Sequence, residues 1–190
     1  MQILFLGPKC NYICNFLQRE GHNIIFSENR LGIKSSKLQH TDIIISFGYR
    51  HIIPKEIIKK FQNKIINLHI SLLPWNRGAD PNLWSFLDKT PKGVTIHYID
   101  EGIDTGAIIS QREVFLNTNG TLRSTYNILI QEIKELFVQT WPDLIRKKII
   151  PITQPKELGS FHSSSDKEKY EHLLTDGWDT PVSNLIGKAL

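Results

Sequence analysis

Short apolar runs separated by segments of helical periodicity characterise the first third of the chain. Residues 3–6 form an unbroken apolar run, as in a strand buried on both faces. Residues 9–20 repeat apolar side chains at helical spacing, and Gly21 favours a helix end. The same alternation continues, with strands predicted at 22–27, 42–46 and 65–69 and a helix beginning near Pro54. This order predicts an α/β fold, with a mostly parallel sheet and helices on both faces.

The second half of the chain changes in pattern. A polar loop at 75–81 leads into a short helix near 82–87, and strands are predicted at 94–98 and 107–114. A long amphipathic helix runs from Leu122 through Phe137, and Pro142 should kink it or begin a new one. Residues 153–164 read as a loop. Ser165 to Glu168 matches a capping box that starts one more short helix, which Gly177 ends.

Composition and charge narrow the class of protein. The chain has 190 residues, of which 40% are hydrophobic and 22% charged, which excludes disorder and low complexity. Its net charge of +4 suits an anionic small molecule and is too weak for a nucleic-acid-binding protein. No apolar stretch approaches the length of a membrane span, and the N-terminus lacks the features of a signal peptide. Cys10 and Cys14 share a predicted helix face, which indicates reduced thiols in a cytoplasmic protein.

Two polar features interrupt the apolar pattern. Asn67, His69 and Ser71 alternate on one face of a predicted strand, near its carboxyl end, where open α/β sheets bind their ligands. Asp104 lies in a loop between Gly102 and Gly106, which lets the backbone approach a ligand closely. Both features also fit a structural role, as polar groups that satisfy nearby backbone or as an ordinary turn. The remaining histidines outside these segments are expected at surface or structural positions.

Taken together, these segments resemble one known family. The motifs are Asn67-Leu68-His69, then Ser71-Leu72-Leu73-Pro74, then Gly93-Val94-Thr95-Ile96-His97-Tyr98 through Asp104 to Gly106. In this order they resemble the folate-dependent formyltransferases, over about residues 47–114. The resemblance implies one formyltransferase catalytic domain with a Rossmann-like fold at 1–150 and a C-terminal extension at 151–190 that packs on or near it.

The resemblance also implies the site. It implies Asn67, His69 and Asp104 as catalytic residues, no metal, and 10-formyltetrahydrofolate as formyl donor. The residues that it implies for folate binding lie in two loops: Phe47, Gly48, Tyr49, Arg50, His51, Ile52 and Ile53 in the first, and Asp100, Glu101 and Gly102 in the second.

The chemistry of formyl transfer explains these residue types. A neutral amine attacks the formyl carbon, and negative charge develops on the formyl oxygen. Asn67 can donate a hydrogen bond to that oxygen, and His69 can supply a second donor. Asp104, directly or through a water or His69, can accept the proton that the amine loses and orient the imidazole.

Departures from the family pattern favour one branch of it. Pro8 removes a backbone donor from the first loop, a separate C-terminal domain like that of the tRNA enzyme is not expected, and Ile70 stands where the family usually has proline. The chain looks most like bacterial sugar N-formyltransferases, which act on nucleotide-linked 4-amino-4,6-dideoxyhexoses. The residues expected at the acceptor site are Lys9, Asn11, Ser71, Trp75, Asn76 and Arg77. A formyltetrahydrofolate hydrolase, a non-catalytic folate- or nucleotide-binding module, and a homodimer all stay open.

Overall fold

A computed structural model of the chain describes residues 1–155 and 157–190; residue 156, in the predicted loop, lies outside the described residues. The strands are β1 Gln2–Leu6, β2 Asn23–Ser27, β3 Ile43–Ser46, β4 Ile65–His69, β5 Arg77–Gly78, β6 Gly93–Tyr98, β7 Ile108–Glu113 and β8 Phe161–His162. The helices are α1 Asn11–Arg19, α2 Lys55–Lys60, α3 Pro81–Leu87 and α4 Leu122–Ile145. Within the described residues, four 3₁₀ helices lie at Ser36–Leu38, Asp166–Leu173, Gly177–Asp179 and Val182–Asn184.

The main sheet has six strands in the order β2-β1-β3-β4-β6-β7 within the described residues. The pairs from β2 to β4 are parallel, whereas β4–β6 and β6–β7 are antiparallel. The prediction of a mostly parallel α/β sheet is therefore confirmed. The antiparallel pairing of β6 with β4 matters for the site, because it places β6 next to the strand that carries Asn67 and His69.

Two apolar layers cover the sheet. On one face, the buried side chains of β1 and β4 pack against α1 and α4, with Trp141 fully buried. On the other face, Leu4 and Leu6 pack against Ile57 of α2. Residues 3–6 have no exposed surface, which confirms the strand buried on both sides. Burial on both faces is why β1 reads as a continuous apolar run rather than an alternating one.

Several helix boundaries differ from the prediction. Helix α1 begins at Asn11 rather than Lys9, and Pro142 lies inside α4, which continues to Ile145. The capping box lies at Thr121 and Ser124, which bond reciprocally at the start of α4. The box predicted at Ser165 is wrong, since its side chain makes no cap bond within the described residues. The Asp166 carboxylate instead accepts the backbone N–H of Ser163, so the segment winds into a 3₁₀ helix.

The tail returns to the body of the domain. Its strand β8 pairs in parallel with β5, a two-residue strand inside the segment predicted to be a loop. Farther along, Val182 and Leu185 are fully buried in a third apolar cluster with Leu83, Leu87 and Leu122. Among the described residues, no helix is long and apolar enough to cross a membrane.

Candidate active site

The carboxyl end of β4 carries Asn67 and His69 on the same face. The antiparallel pairing of β4 with β6 sets His97 opposite Asn67 and Thr95 opposite His69. Thr95 and His97 are buried, with 0% and 1% exposure, so two neighbouring strands direct polar groups into one enclosed region.

Asp104 reaches this face from the loop between β6 and β7. Its Oδ1 accepts a hydrogen bond from Asn67 Nδ2 at 3.3 Å, and its Oδ2 lies 3.8 Å from His69 Nδ1. The backbone N–H of Gly78 donates to Oδ2 at 2.8 Å. The backbone of Asp104 has φ of 54°, an infrequent conformation for a non-glycine residue and one that clusters at functional sites. The structure thus brings Asn67, His69 and Asp104 into one cluster.

His97 belongs to the same cluster, although the sequence predicted a structural or surface position for it. Its Nδ1–H donates to the Tyr98 carbonyl at 2.8 Å, and its Nε2 lies 3.2 Å from Asn67 Nδ2 and 3.5 Å from Asp104 Oδ1. The register of β6 against β7 shifts between Ile96 and His97, and such irregularities redirect side chains near functional sites. The alternation of Thr95 and His97 on a strand was a signal, but their pairing with β4 was not readable from the sequence.

The protonation states of the cluster follow from burial and charge. Burial lowers the pKa of His69 below its usual value, although Asp104 opposes this effect. Burial alone would raise the pKa of Asp104, but His69, His97 and the Gly78 N–H together hold that pKa far below its ordinary range. The site therefore contains a neutral imidazole beside a carboxylate at neutral pH. The His69 Nε2–H donates to the Asn76 carbonyl at 3.2 Å, so its proton is on the nitrogen that faces away from Asp104.

Gln154, a tail residue that the sequence did not single out, holds the Asp104 loop in place. Its Nε2 donates to the carbonyls of Asp104 and Gly106 at 2.9 and 2.8 Å. Its Oε1 accepts two bonds from the Arg77 guanidinium at 3.1 and 2.9 Å. Because Gln154 is buried, these bonds are shielded from water and connect the two loops that flank the cluster.

The predicted folate-binding residues lie in two loops beside the cluster. In the first, the phenol of Tyr49 accepts the Leu31 N–H and donates to the Asn29 carbonyl, so it anchors a neighbouring segment. Ile52 is exposed there, with 76% of its surface accessible, and Ile103 is exposed in the second loop. The burial of the other candidates varies: Phe47 is half-buried and Ile53 buried, whereas Gly48, Arg50, His51, Asp100, Glu101 and Gly102 are exposed.

An ion pair connects the two loops. Helix α2 follows the first loop directly, and its Lys55 lies 3.0 Å from Glu101 of the second. Asp100 fixes the second loop from within, because its Oδ1 accepts the Gly102 N–H and the Thr105 hydroxyl. The second loop therefore lies close to the start of α2, and each loop carries one exposed apolar side chain, Ile52 or Ile103.

The predicted acceptor-binding residues divide into two groups. Ser71 and Asn76 are buried and bonded within the protein: Ser71 donates to the Trp75 carbonyl, and Asn76 bonds Thr90 and Ser160. Trp75 is half-buried, and Arg77 is directed to Gln154. Lys9 and Asn11 are exposed at the start of α1, away from the hydrogen-bonded cluster, with Lys9 over the Phe26 ring. The interior positions of Ser71 and Asn76 suit support of the His69 loop.

The cluster combines groups suited to acyl transfer. An amide N–H and an imidazole N–H are donors for a developing oxyanion, and a buried carboxylate beside an unprotonated imidazole nitrogen can accept a proton. All of them lie at the end of one central strand, which is a rigid support for such a geometry.

Comparisons with known proteins agree with this chemistry. The pattern of the family described as formyl transferase matches residues 28–141. The methionyl-tRNA formyltransferase of Listeria monocytogenes serotype 4a is 33% identical over 129 residues, which is 67% of this chain and 41% of that protein. The chain thus spans about two fifths of the length of the curated relatives it matches.

Solved structures are similar over more of the chain. The formyltransferase PseJ from Anoxybacillus kamchatkensis, in complex with UDP-4,6-dideoxy-4-formamido-L-AltNAc and tetrahydrofolate, is 55% identical with a TM-score of 0.97 over 100% of both chains. An N-formyltransferase from Helicobacter canadensis, in complex with folinic acid and dTDP-3-aminofucose, has a TM-score of 0.76 at 21% identity, covering 99% of this chain and 80% of that one. The second similarity concerns the fold alone.

Proposed function

The chain belongs to the formyl transferase family, and we propose that it transfers a formyl group from 10-formyltetrahydrofolate to the primary amine of a nucleotide-linked 4-amino-4,6-dideoxy sugar. The observation that carries this proposal is the convergence of Asn67, His69 and Asp104 at the end of β4. The 55% identity to PseJ, whose complex contains a UDP-linked formamido sugar and tetrahydrofolate, supports the acceptor class.

The two loops beside the cluster fit a folate. Ile52 and Ile103 are exposed apolar side chains, and exposed apolar surface next to a polar site is typical of a ligand-binding region. In this proposal the backbone of residues 47–53 bonds the pterin, and the loop from Asp100 closes the other side. The folate supplies the activated formyl group, and the nitrogen that carried it leaves as a secondary amine.

Asn67 and His69 stabilise the developing oxyanion in this proposal. The hydrogen bonds from Asn67 Nδ2 are long, at 3.2 and 3.3 Å, so one hydrogen can be redirected to a formyl oxygen at little cost. The lowered pKa of His69 keeps the imidazole neutral with its proton on Nε2, and this N–H must leave the Asn76 carbonyl to donate to the formyl oxygen. A donor aimed at an oxyanion contributes about 10²–10³ in rate.

In this proposal, Asp104 and the Nδ1 nitrogen of His69 are the groups that accept the proton lost by the attacking amine. The amine nitrogen forms a bond to the formyl carbon and gives its proton to Asp104, directly or through water or His69 Nδ1. The C–N bond to the leaving amine then breaks, and that nitrogen regains a proton. The Asp104 carboxylate is ionised at neutral pH because its pKa is far below the usual range, so it can stabilise the positive charge when His69 Nδ1 takes the proton.

Mass spectrometry tests the proposal directly. The chain is incubated with 10-formyltetrahydrofolate and a panel of nucleotide-linked amino sugars, and the product gains one carbonyl. We expect Asn67→Ala to lower kcat by about 10²–10³, while the affinity for folinic acid changes little. Ile128→Ala, an exposed change on α4, is the matched control.

The same assay separates the other candidate functions. Formate released at equal rates with and without acceptor would indicate a formyltetrahydrofolate hydrolase. Ligand binding with turnover at the same background level in the unmodified chain and in Asn67→Ala, His69→Ala and Asp104→Ala would indicate a non-catalytic binding module. Either result would overturn the proposed transfer.

Location and assembly follow as predictions from this function. The free thiols of Cys10 and Cys14 support a cytoplasmic location. A homodimer is a prediction that light scattering would test.

A further inference from the structure

The side chain of Gln154 bonds both loops beside the catalytic cluster, although it comes from the tail of the chain. We propose that Gln154 is a positioning residue for formyl transfer: it holds the Asp104 carboxylate beside His69 by fixing the backbone that carries this carboxylate. The inference rests on the proposed function, in which Asp104 and His69 act together. It gives a catalytic consequence to a residue that neither the motifs nor the family resemblance singled out.

The amide of Gln154 uses all of its hydrogen-bonding positions. Its Nε2 donates to the carbonyls of Asp104 and Gly106, and its Oε1 accepts from Nε and Nη2 of Arg77. An amide offers two donor hydrogens and two acceptor lone pairs, so none is left for a ligand. Only 5% of the Gln154 surface is exposed. Gln154 therefore acts through Asp104 rather than on a substrate.

The backbone at Asp104 requires such a partner. Its φ of 54° lies in the left-handed region, which a non-glycine residue keeps only when the surrounding contacts impose it. Residues 101–103 and 105 are exposed, so the loop itself supplies little packing. The two bonds from Gln154 reach the carbonyls on either side of residue 105, directly after this conformation. They supply the contacts that the exposed part of the loop lacks.

Arg77 and Gly78 close a ring of bonds around the carboxylate. The Gly78 N–H donates to Asp104 Oδ2 at 2.8 Å, while the Arg77 side chain bonds Gln154, which in turn bonds the Asp104 carbonyl. Two adjacent residues of β5 therefore hold both the side chain and the backbone of Asp104. Removing Gln154 opens this ring. The carboxylate, which lies 3.8 Å from His69 Nδ1, is then free to move away from the imidazole.

The tail presents Gln154 from a fixed point. Ile152, two residues earlier, exchanges two backbone hydrogen bonds of 2.8 Å with Ile108, the first residue of β7. The loop that carries Asp104 ends at the same point, because β7 follows it directly. Gln154 and the loop that it bonds therefore share one support in the main sheet, which favours a fixed orientation of the amide.

The position of Asp104 influences the pKa of His69. Burial of the imidazole lowers that pKa, Asp104 raises it, and the nearby His97 lowers it. If the carboxylate moves away from Nδ1, the pKa of His69 therefore falls further. A purely structural role of Gln154 would change the stability of the protein and leave the pKa of His69 in place.

Titration of the histidines by nuclear magnetic resonance tests the inference without turnover. In Gln154→Met, which keeps an unbranched side chain but loses the amide, we expect the proton affinity of His69 to fall about threefold or more. The signal of His69 is assigned by its absence in His69→Asn. Phe137→Leu, a buried change where α4 packs against Phe16 of α1, is the control: it should lower the stability and leave the titration unchanged.

Steady-state kinetics test the catalytic consequence. Gln154→Met should lower kcat about tenfold or more, because the carboxylate is misplaced, while the affinity for folinic acid stays unchanged. The decline of kcat/KM on the acid side should move to lower pH, following the pKa of His69. Gln154→Glu can still accept from Arg77 but, when ionised, has lost both donors, so it should also lower kcat.

The outcomes separate the inference from the proposed function. If the unmodified chain formylates a nucleotide-linked amino sugar while both Gln154 variants keep its kcat and Gln154→Met keeps its His69 titration, the positioning role is overturned and the function stands. If the unmodified chain transfers no formyl group but Gln154→Met alters the His69 titration, the proposed function fails and the placement of Asp104 by Gln154 stands. An equal loss of kcat in Phe137→Leu would identify lost stability as the cause and overturn the inference.

Discussion

At the residue scale, the site places a neutral imidazole close to an ionised carboxylate. Burial keeps His69 neutral, and the donors around Asp104 keep that side chain ionised. The sequence marked Asn67 and His69 by their alternation on a strand and Asp104 by its glycine-flanked loop, and the family resemblance implied their catalytic roles. It did not indicate His97 or Gln154, because their contacts with Asn67 and Asp104 depend on strand pairing and on a tail contact from residues distant in sequence.

The lowered pKa of His69 predicts how stability varies with pH. Between the folded pKa and the unfolded value of about 6.5, the unfolded chain binds the proton more readily, so stability falls as pH drops through that range. Replacing His69 with Asn should make the free energy of unfolding less dependent on pH there, as urea titrations at several pH values would measure. Burial also lowers the pKa of His22, so this histidine contributes to the same pH dependence of stability. His22→Asn should reduce that dependence in the same direction, and each single variant should retain the part due to the other histidine. An unchanged slope in His69→Asn would contradict the prediction.

Removing the amide of Gln154 should destabilise the Asp104 loop. Gln154→Leu keeps the size of the side chain but leaves two buried carbonyls without donors, and we expect the free energy of unfolding to fall by about 1–3 kcal/mol. Gln131→Leu on the exposed surface of α4 is the control, with a change within about 0.5 kcal/mol. Equal effects in the two variants would argue against a specific role for Gln154.

At the scale of elements, the sequence predicted the central strands of the main sheet, but it did not predict the short strands β5 and β8. Strand β1 shows its burial in a continuous apolar run and β4 in the alternation of its polar and apolar residues, so their positions were predicted closely. Strands β5 and β8 have two residues each and form by pairing with each other, so no local sequence pattern predicts them. The tail helices are 3₁₀ rather than α, and the bond from Ser163 N–H to the Asp166 side chain starts this segment two residues before the predicted capping box.

Glycine at position 78 should be required for this small sheet. Gly78 has φ of 90°, and a Cβ there would overlap the His162 carbonyl across the pair. We expect Gly78→Ala to separate β5 from β8 and displace the N–H that holds Asp104, lowering both stability and kcat. Gly21→Ala is a matched control, since Gly21 has φ of 80° but open space around it, and it should cost only about 1–2 kcal/mol and leave kcat unchanged. A normal kcat in Gly78→Ala would contradict this account.

At the scale of the whole molecule, the tail is part of the domain core. The tail buries Val182 and Leu185 in an apolar cluster with side chains of α3 and α4. Its strand β8 pairs with β5, and its 3₁₀ helices line a cavity of about 290 Å³ beside α3 and the start of α4. The sequence predicted a catalytic domain at 1–150 and an extension at 151–190 that packs on or near it. The boundary itself stays a prediction, but Gln154 and Ser160 bond directly to the loops of the site.

Loosening the tail should therefore affect both stability and catalysis. Leu185 has no exposed surface, and Leu185→Ala should lower the free energy of unfolding by about 2–5 kcal/mol through lost burial and a cavity. It should also raise the KM for the acceptor, because the tail residues Ser160 and Gln154 bond the predicted acceptor-binding residues Asn76 and Arg77. Leu190→Ala, at a position with 85% exposure, should change neither quantity. Denaturation and steady-state kinetics on the two variants would check this, and a destabilised Leu185→Ala with normal KM would contradict the link.

The pairing of β8 with β5 has a consequence for biosynthesis. A ribosome makes a protein from its amino end, and early segments begin to fold while later ones are still being added. Here the sheet and the ends of β4 and β6 can form first, but the loop that carries Gly78 gains its partner strand only when residues 161 and 162 have emerged. The growing chain can therefore form its main sheet before it can form the small sheet that fixes the Gly78 loop beside Asp104.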